Sequence, residues 1–253
     1  MIGTIFHLVF YQPLYNAFIF LTAVLPYHDA GIAVIILTFA VQFIIFPFRH
    51  KSVVTQRKMR EIEPEIKKIK EQFKKDKQEQ AKRTMELYQA HGISPFSGFL
   101  MLLIQLPVFI ALYRLFLTGI NLNPGDLYSF NVAPAEIEKQ FLGLIDISKN
   151  NYILAFLAGI TQFFQMQLSM PKIGKSDAKS DSFQDRLSQS MSLQAKYIMP
   201  VFIFFIALKF SSGIALYWTA MNVFAIVHEA IVAYKSKKSQ SLETDYGNQI
   251  GKH

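Results

Sequence analysis

The side chains best placed to do chemistry are amides, hydroxyls and charges that interrupt long apolar stretches. Thr38, Gln42 and Arg49 follow one another at steps of four and seven, so a helix would carry them on one face. Similar groups stand in three other apolar stretches: Gln105, beside Pro107; Thr161, Gln162, Gln165 and Gln167; and Trp218, Asn222 and Glu229. Taken singly, each is explained by an interhelical hydrogen bond worth about 0.6 kcal/mol. Together they favour a shared hydrated cavity, because polar groups in hydrocarbon need partners or water.

The elements that carry these residues are predicted to be membrane helices. The chain has 253 residues, of which 51% are hydrophobic and 17% charged, and its mean hydropathy is above zero. Three stretches without an acidic or basic residue, 31–48, 92–113 and 150–171, approach or exceed the 20 or so residues that a spanning helix needs. The stretch 191–234 is long enough for two more helices, with Ser211, Ser212 and Gly213 as a tight reversal between them.

The distribution of Lys and Arg predicts the orientation. Residues 49–97 contain 13 of them, whereas residues 118–151 contain two. Since cytoplasmic segments carry the excess of basic residues, the first segment is expected inside and the second outside. Alternation then places the C-terminus in the cytoplasm. The net charge of +8 therefore reflects membrane topology rather than a nucleic-acid-binding surface.

The predicted fold class is an all-α integral membrane protein with a core of five transmembrane helices. Residues 1–27 either lie on the outer surface as an interfacial helix or make a sixth crossing. The full organisation is an outer helix (1–27), a first span (28–49), a cytoplasmic helical hairpin (50–93), a second span (94–117), an outer loop (118–151), a third span (152–171), a cytoplasmic loop (172–192), a hairpin of the fourth and fifth spans (193–234) and a basic cytoplasmic tail (235–253).

The polar segment 51–92 has one narrow apolar stripe at helical spacing, formed by Ile62, Ile66, Ile69 and Phe73. Glu63 and Pro64 are typical of a first helical turn, and Gln78–Ala90 is expected to form a second helix. The segment is interpreted either as a solvated loop attracted to anionic lipid headgroups or as a docking arm for a partner.

No set of catalytic residues is present in the sequence. There is no Cys, the six His lack metal-ligand spacing, and no glycine-rich phosphate loop occurs. We therefore expect neither an enzyme nor a bound metal, cofactor or small-molecule substrate. The first residues lack the basic region of a signal peptide, so cleavage is not expected.

Four runs in the sequence resemble the YidC/Oxa/Alb family of membrane protein insertases, in its short bacterial form without a large outer domain. They are residues 36–47 (ILTFAVQFIIFP), 59–66 (MREIEPEI), 102–113 (LLIQLPVFIALY) and 212–222 (SGIALYWTAMN). The resemblance implies five helices around a hydrophilic groove that is open to the cytoplasm and closed outside, a cytoplasmic helical hairpin and an outer amphipathic helix. It implies a chaperone and insertase in the bacterial plasma (inner) membrane, with nascent membrane proteins, the ribosome, the Sec translocon and the lipid bilayer as partners.

One residue departs from the family pattern. Members usually carry Arg in the first span where this chain has Gln42, and Arg49 on the same face is expected to supply part of the missing charge from about 10 Å away. The predicted groove and client-binding residues are Gln42, Gln105, Thr161, Gln162, Gln165, Trp218 and Asn222. Arg49, Glu63, Pro64 and Glu229 are predicted at its rim, where Glu229 would pair with a nearby Lys. A small-solute channel or transporter, or a dry structural scaffold, would use the same residues differently.

Overall fold

The computed structural model describes residues 2–94, 97–117, 120, 123–169 and 193–250, with side chains except at residues 2, 195 and 236–250. The predicted loop 172–192 lies outside these residues. Ten α-helices are described: α1 Ile2–Phe6, α2 Gln12–Val24, α3 Ala30–Ile44, α4 Phe46–Glu61, α5 Glu63–Gln72, α6 Lys77–Ala90, α7 Ser97–Leu117, α8 Tyr152–Ser169, α9 Met199–Ala207 and α10 Ser212–Ile250. A π-helical turn, His7–Tyr11, joins α1 to α2, and another, Gln194–Ile198, precedes α9. The two short strands are β1 Gln140–Phe141 and β2 Ile145–Asp146, which pair antiparallel.

The helices define two ends of the molecule. At the loop end, residues 123–151 meet the starts of α3 and α10: the Ala30 amide donates to the Glu138 carbonyl at 2.9 Å, and the Ser212 amide to the Lys149 carbonyl at 2.7 Å. At the opposite, hairpin end, α4 leads into α5 and α6. Each side chain along a helix therefore lies nearer to the loop end or nearer to the hairpin end.

The main hydrophobic core lies towards the loop end. It is built from most of α3, the second half of α7, the first turns of α8 and α10, and buried residues of α2 and α9. Its fully or almost fully buried members include Ala33, Val34, Leu37, Ala111, Leu112, Leu115, Leu154, Ala155, Ala158, Ile214, Ala215 and Tyr217. Small residues let the helices approach closely, as where Gly213 packs against the ring of Phe116.

Asp29 ties the loop to the helices. Its Oδ1 caps α3 by accepting from the Gly31 and Ile32 amides at 2.7 and 3.0 Å, and its Oδ2 accepts from the Leu142 amide at 2.8 Å. In the β2 turn beside it, a hydrogen bond from the Ser148 hydroxyl holds the pKa of Asp146 below its ordinary value. The strand pair is thereby held over the start of α3.

The N-terminal helix runs across the loop end. Near its start, Phe6 lies against the Arg114 guanidinium, 5.5 Å from the ring centroid. Some 10 residues further on, the Asn16 side chain donates to the Asp126 carbonyl at 2.8 Å and accepts from the Tyr128 amide at 2.7 Å. Beside Asn16, Tyr15 and Phe18 are buried in the core, so the N-terminal segment is held against the loop end by both polar and apolar contacts.

The basic hairpin has the predicted helices. Pro64 stands in the first turn of α5, with Glu63 beside it, and Asp76 caps α6 through the Gln78 and Glu79 amides at 3.1 and 3.0 Å. Helix α6 ends at Ala90 before Gly92, which has a positive φ of 61°. The apolar stripe lies between α5 and α6, where a cavity of about 510 Å³ is lined by Ile69, Gln72, Phe73, Arg83, Glu86, Leu87 and Ala90.

Three predicted boundaries differ from the structure. The first span does not continue as one helix to residue 49, because α3 ends at Ile44 and α4 leaves it at 68°. Ser212 and Gly213 belong to the first turn of α10, and the reversal uses the residues just before them. The last span and the tail form one helix to Ile250. Helices α9 and α10 follow each other across a short connection, and both pack mainly against α8.

Among the described residues, three helices are long and apolar enough to cross a membrane: Gly3–Val24, Ser97–Leu117 and Ser212–Lys235. The bent pair of α3 and α4 would be a fourth. Helix α8 has 18 residues, but its Gln residues lower its hydropathy. The least apolar of the predicted spans is therefore also the richest in candidate functional groups.

Replacing Gly213 by Ala is expected to destabilise the loop-end core, because the new methyl group would collide with the Phe116 ring. Overpacking of this kind costs about 1–3 kcal/mol. Thermal unfolding in detergent, followed by the fluorescence of the single tryptophan, Trp218, should show a melting temperature several degrees lower. The control is Gly98→Ala, where the nearest side-chain atom is 4.0 Å away; equal melting temperatures for the two variants would contradict this packing.

Candidate functional site

Four side chains from four helices form a connected polar group, which we call the glutamine cluster: Gln42, Arg49, Gln105 and Tyr217. The Arg49 guanidinium donates to the Gln42 Oε1 at 2.6 Å, and Gln42 Nε2 donates to Gln105 Oε1 at 3.4 Å. Gln105 in turn donates to the Tyr217 hydroxyl. Gln42 is wholly buried, whereas Arg49 and Gln105 are half-buried. The cluster therefore extends from the interior of the bundle to a surface.

The bend between α3 and α4 lies between Gln42 and Arg49 of this cluster. Ile45, with φ −86° and ψ 0°, interrupts the helix, and Pro47 stands in the first turn of α4. On a continuous helix, Arg49 would lie about 10 Å from Gln42 along the axis. The guanidinium of Arg49 contacts Gln42, as its place on the same face suggested, and its predicted rim position remains a prediction.

A second polar group, which we call the acidic cluster, joins α8 to α10 through Gln162, Gln165, Ser169 and Glu229. Gln162 Nε2 donates to Gln165 Oε1 at 3.3 Å, and Gln165 Nε2 donates to Glu229 Oε1 at 3.2 Å. The Ser169 hydroxyl also donates to Glu229. Residues 162, 165 and 169 share one face of α8 by their spacing of three and four.

Glu229 differs from its prediction in its partners. Its carboxylate is held by the amide and hydroxyl of α8, not by a Lys, in the part of the chain that the structure describes. Arg60 and Arg49 are the positive charges that act on it. Glu229 is half-buried, so its position is an inner wall between two helices and not the outermost edge.

Asn222 and Thr161 form a third contact between α8 and α10. Asn222 Nδ2 lies 3.3 Å from the Thr161 hydroxyl and 3.5 Å from the Ala158 carbonyl, and Asn222 is almost fully buried. The Thr161 hydroxyl also donates to the Leu157 carbonyl of its own helix at 2.7 Å. On α10, Asn222 stands between Tyr217 of the glutamine cluster and Glu229 of the acidic cluster. The contact satisfies an amide that would otherwise be costly inside the bundle.

Three predicted site residues lie apart from the clusters. Trp218 packs against Phe109, with ring centroids 5.5 Å apart, and belongs to the edge of the hydrophobic core. Glu63 pairs with Lys67 at 3.2 Å in the first turn of α5, and Pro64 beside it is exposed. Their predicted roles, in the groove for Trp218 and in partner contact for Glu63 and Pro64, remain predictions.

Sequence reasoning missed Ser169 and Tyr217. Ser169 continues the stripe of 162 and 165 by one more helical step, so the spacing alone could have identified it. Tyr217 is 1% exposed and stands in an apolar run, where an aromatic ring gives no polar signal. Its hydroxyl contacts Gln105 of α7, and this contact depends on the packing of α7 beside α10.

In the half of the bundle nearer the hairpin end, the two clusters provide hydrogen-bond donors and acceptors. They also provide one positive side chain, Arg49, and one negative side chain, Glu229. The hydrophobic core closes the other half. Among the described residues there is no group of three or more His, Asp or Glu that could hold a metal ion. The chemistry available here is hydrogen bonding and charge pairing with a polar chain segment.

An all-α integral membrane protein with polar clusters in one half of its bundle is the class that this fold and site define. The chain belongs to the 60Kd inner membrane protein family, whose model matches residues 20–240. The resemblance noted in the sequence is confirmed. The chain is 30% identical over 231 residues to the membrane protein insertase YidC of Psychromonas ingrahamii, and the match covers 91% of this chain and 36% of that protein.

Other similar proteins carry the same description. The chain is 32% identical over 204 residues to the membrane protein insertase YidC of Wolinella succinogenes and to that of Campylobacter jejuni, covering 80% of this chain and 33% and 34% of those proteins. The chain thus spans about a third of the length of the curated relatives it matches.

Replacing Gln42 by Arg should destabilise the protein, because a second guanidinium would face Arg49 in a buried position. Two like charges about 4 Å apart repel by roughly 4 kcal/mol at an effective dielectric constant of 20. The melting temperature in detergent should fall clearly for Q42R and recover in the double variant Q42R/R49Q, which exchanges the two groups. A wild-type melting temperature for Q42R, or no recovery in the double variant, would show that Arg49 is not held at position 42.

Proposed function

We propose that the protein is a membrane protein insertase that passes nascent membrane proteins into the bilayer through a hydrophilic groove. The observation that carries the proposal is the separation of the bundle into an apolar, closed half and a half with two hydrogen-bonded polar clusters. A polar segment of a client could enter the second half but would meet the hydrophobic core before crossing. This arrangement does not favour the small-solute channel or transporter.

The proposed topology places the loop end outside and the hairpin end in the cytoplasm of a bacterial plasma (inner) membrane, with five spans and the C-terminus inside. The excess of Lys and Arg in residues 49–97 over 118–151 supports it. The contacts of Phe6 and Asn16 with loop-end groups support an interfacial position for the N-terminal helix, although Gly3–Val24 is long enough to span.

In the proposed mechanism, the polar outer segment of a client exchanges water for the amides and charges of the two clusters. A polar group without a partner costs several kcal/mol in bare hydrocarbon, and the clusters lower that cost. The groove residues would be Gln42, Gln105, Thr161, Gln162, Gln165 and Asn222, with Arg49 and Glu229. The client's apolar segment would leave along α8 and α10 into lipid, and its transfer would supply the driving force.

Arg49 is the residue we assign to acidic client segments. Its guanidinium occupies the neighbourhood of Gln42, where it is half-buried and can offer hydrogen bonds to a carboxylate. Glu229 supplies the opposite charge about two turns below Asn222 on α10. Arg49 would favour client segments with acidic residues, and Glu229 would favour client segments with basic residues.

The proposal requires no nucleotide and no enzymatic step. The basic α5–α6 hairpin and the tail are the proposed contacts for the ribosome, the Sec translocon or anionic lipid headgroups. The rows of exposed Lys on α5 and α6 fit such contacts.

The test of the function is insertion of a small single-span client into liposomes that contain the purified protein, measured by protection of its outer segment from protease. Insertion should rise well above that of protein-free liposomes. Cells depleted of the protein and lacking other homologues should show the same dependence. Equal insertion with and without the protein in both assays would overturn the proposal.

The role of Arg49 is tested with Arg49→Ala. Insertion of a client with an acidic outer segment should fall roughly ten-fold, which corresponds to about 1.5 kcal/mol for one hydrogen bond between charged groups. A client whose acids are replaced by Asn and Gln should be affected much less. The matched control is Arg57→Ala, which removes the same charge two turns further along α4. Equal losses for both variants, or for both clients, would contradict a specific role for Arg49.

A further inference from the structure

Helix α4 lies across the hairpin end of the bundle. Its 16 residues give it a length of about 24 Å, and it touches three other helices in turn. His50 meets His228 of α10, with Nδ1 and Nε2 3.0 Å apart. Gln56 lies beside Gly98 at the start of α7, and Arg60 donates to the Leu168 carbonyl near the end of α8 at 3.0 Å.

The face that α4 turns towards the bundle is polar. Ser52 and Thr55 are buried on it, and Arg49 reaches from it into the glutamine cluster. Lys51 and Lys58 are exposed on the other side. The helix therefore covers the two polar clusters from the side that we propose to be cytoplasmic.

Helix α4 is attached to the bundle by different contacts from those that close the loop end. The loop end is closed by tightly packed apolar side chains. The contacts of α4 with α8 and α10 are instead a pair of imidazoles, the Phe46 ring against the His228 and Phe224 rings at 4.9 and 6.5 Å, and one arginine bonded to a carbonyl. Elements with few buried apolar contacts are the ones that open locally. The break at Ile45 supplies a hinge, since that residue is already outside the helical conformation.

We propose that α4 is a gate over the inner mouth of the groove, latched to α10 by the hydrogen bond between His50 and His228. The inference rests on the proposed insertase function and adds to it a closed and an open state. In the closed state described here, the clusters are covered. Rotation of α4 about Ile45 breaks the His50–His228 and Arg60–Leu168 contacts and exposes the clusters to a polar client segment arriving from the cytoplasm.

The sequence allows a clean test because the chain contains no Cys. In the double variant H50C/H228C, a short bis-methanethiosulfonate would join each thiol through a disulfide, with loss of methanesulfinate, and hold the gate shut. Dithiothreitol would cleave the two disulfides and release it. Insertion of the single-span client should fall roughly ten-fold on crosslinking, since apparent affinity falls with the fraction of molecules in the competent state. Reduction should restore it.

The matched control is H7C/D126C at the loop end. His7 and Asp126 are also in side-chain contact, at 2.9 Å, but join the N-terminal helix to the loop and not α4 to α10. Crosslinking this pair should leave insertion unchanged. Full insertion by the crosslinked H50C/H228C protein would overturn the gate while leaving the insertase function intact, whereas absence of insertion by the wild-type protein would overturn the function itself.

A second measurement applies even where the His→Cys changes lower activity. The yield of the 50–228 crosslink should fall several-fold when a stalled client occupies the groove, because the client holds the gate open. The yield of the 7–126 crosslink should not change. An unchanged 50–228 yield with a client bound would show that α4 does not move.

Discussion

The hydrogen bond from Arg49 to Gln42 is the interaction on which the polar half of the bundle depends. It joins the end of α3 to the start of α4, across the point where α4 turns away by 68°. Burying a guanidinium without hydrogen-bond partners would cost free energy, and Gln42 supplies an acceptor for it. Gln42 in turn donates to Gln105, which donates to the Tyr217 hydroxyl. The chain of contacts joins four helices, so it links their positions as well as satisfying their polar groups.

The two halves of the bundle follow from the same constraint. Apolar side chains from six helices can close the loop end by packing alone, and Asp29 and Ser212 attach the loop over it. At the other end, amides and charges at helical spacing prevent such packing and are paired with one another. In a membrane, both the apolar packing and the paired polar groups leave few polar atoms without hydrogen bonds. Only the paired polar groups, however, can exchange their partners for groups of another chain.

Much of this organisation could be predicted from the sequence. The spacing of Gln162 and Gln165 predicted a shared face, and Pro64 with Glu63 predicted the start of α5. These are local patterns, which depend on helical geometry alone. The family resemblance added the expectation of a groove, because the order of motifs carries information that periodicity does not.

What could not be predicted depends on bends and on contacts distant in sequence. The spacing of Gln42 and Arg49 suggests a straight helix, whereas the structure interrupts the helix at Ile45 between them. His50 and His228 are 178 positions apart, and neither has a metal-ligand or catalytic neighbour to draw attention to it. The packing of Trp218 against Phe109 likewise joins residues 109 positions apart, and no local pattern indicates it.

The position of the positive charge has a consequence for the gate. An Arg in place of Gln42 would be fixed to α3 and would stay in the groove whatever α4 did. In this chain the charge belongs to α4, so rotation about Ile45 would carry Arg49 away from Gln42 towards the mouth and leave the Gln42 amide free for a client. Charge and access are thereby coupled: the guanidinium is covered while the gate is shut and becomes available to an acidic segment at the moment the clusters open.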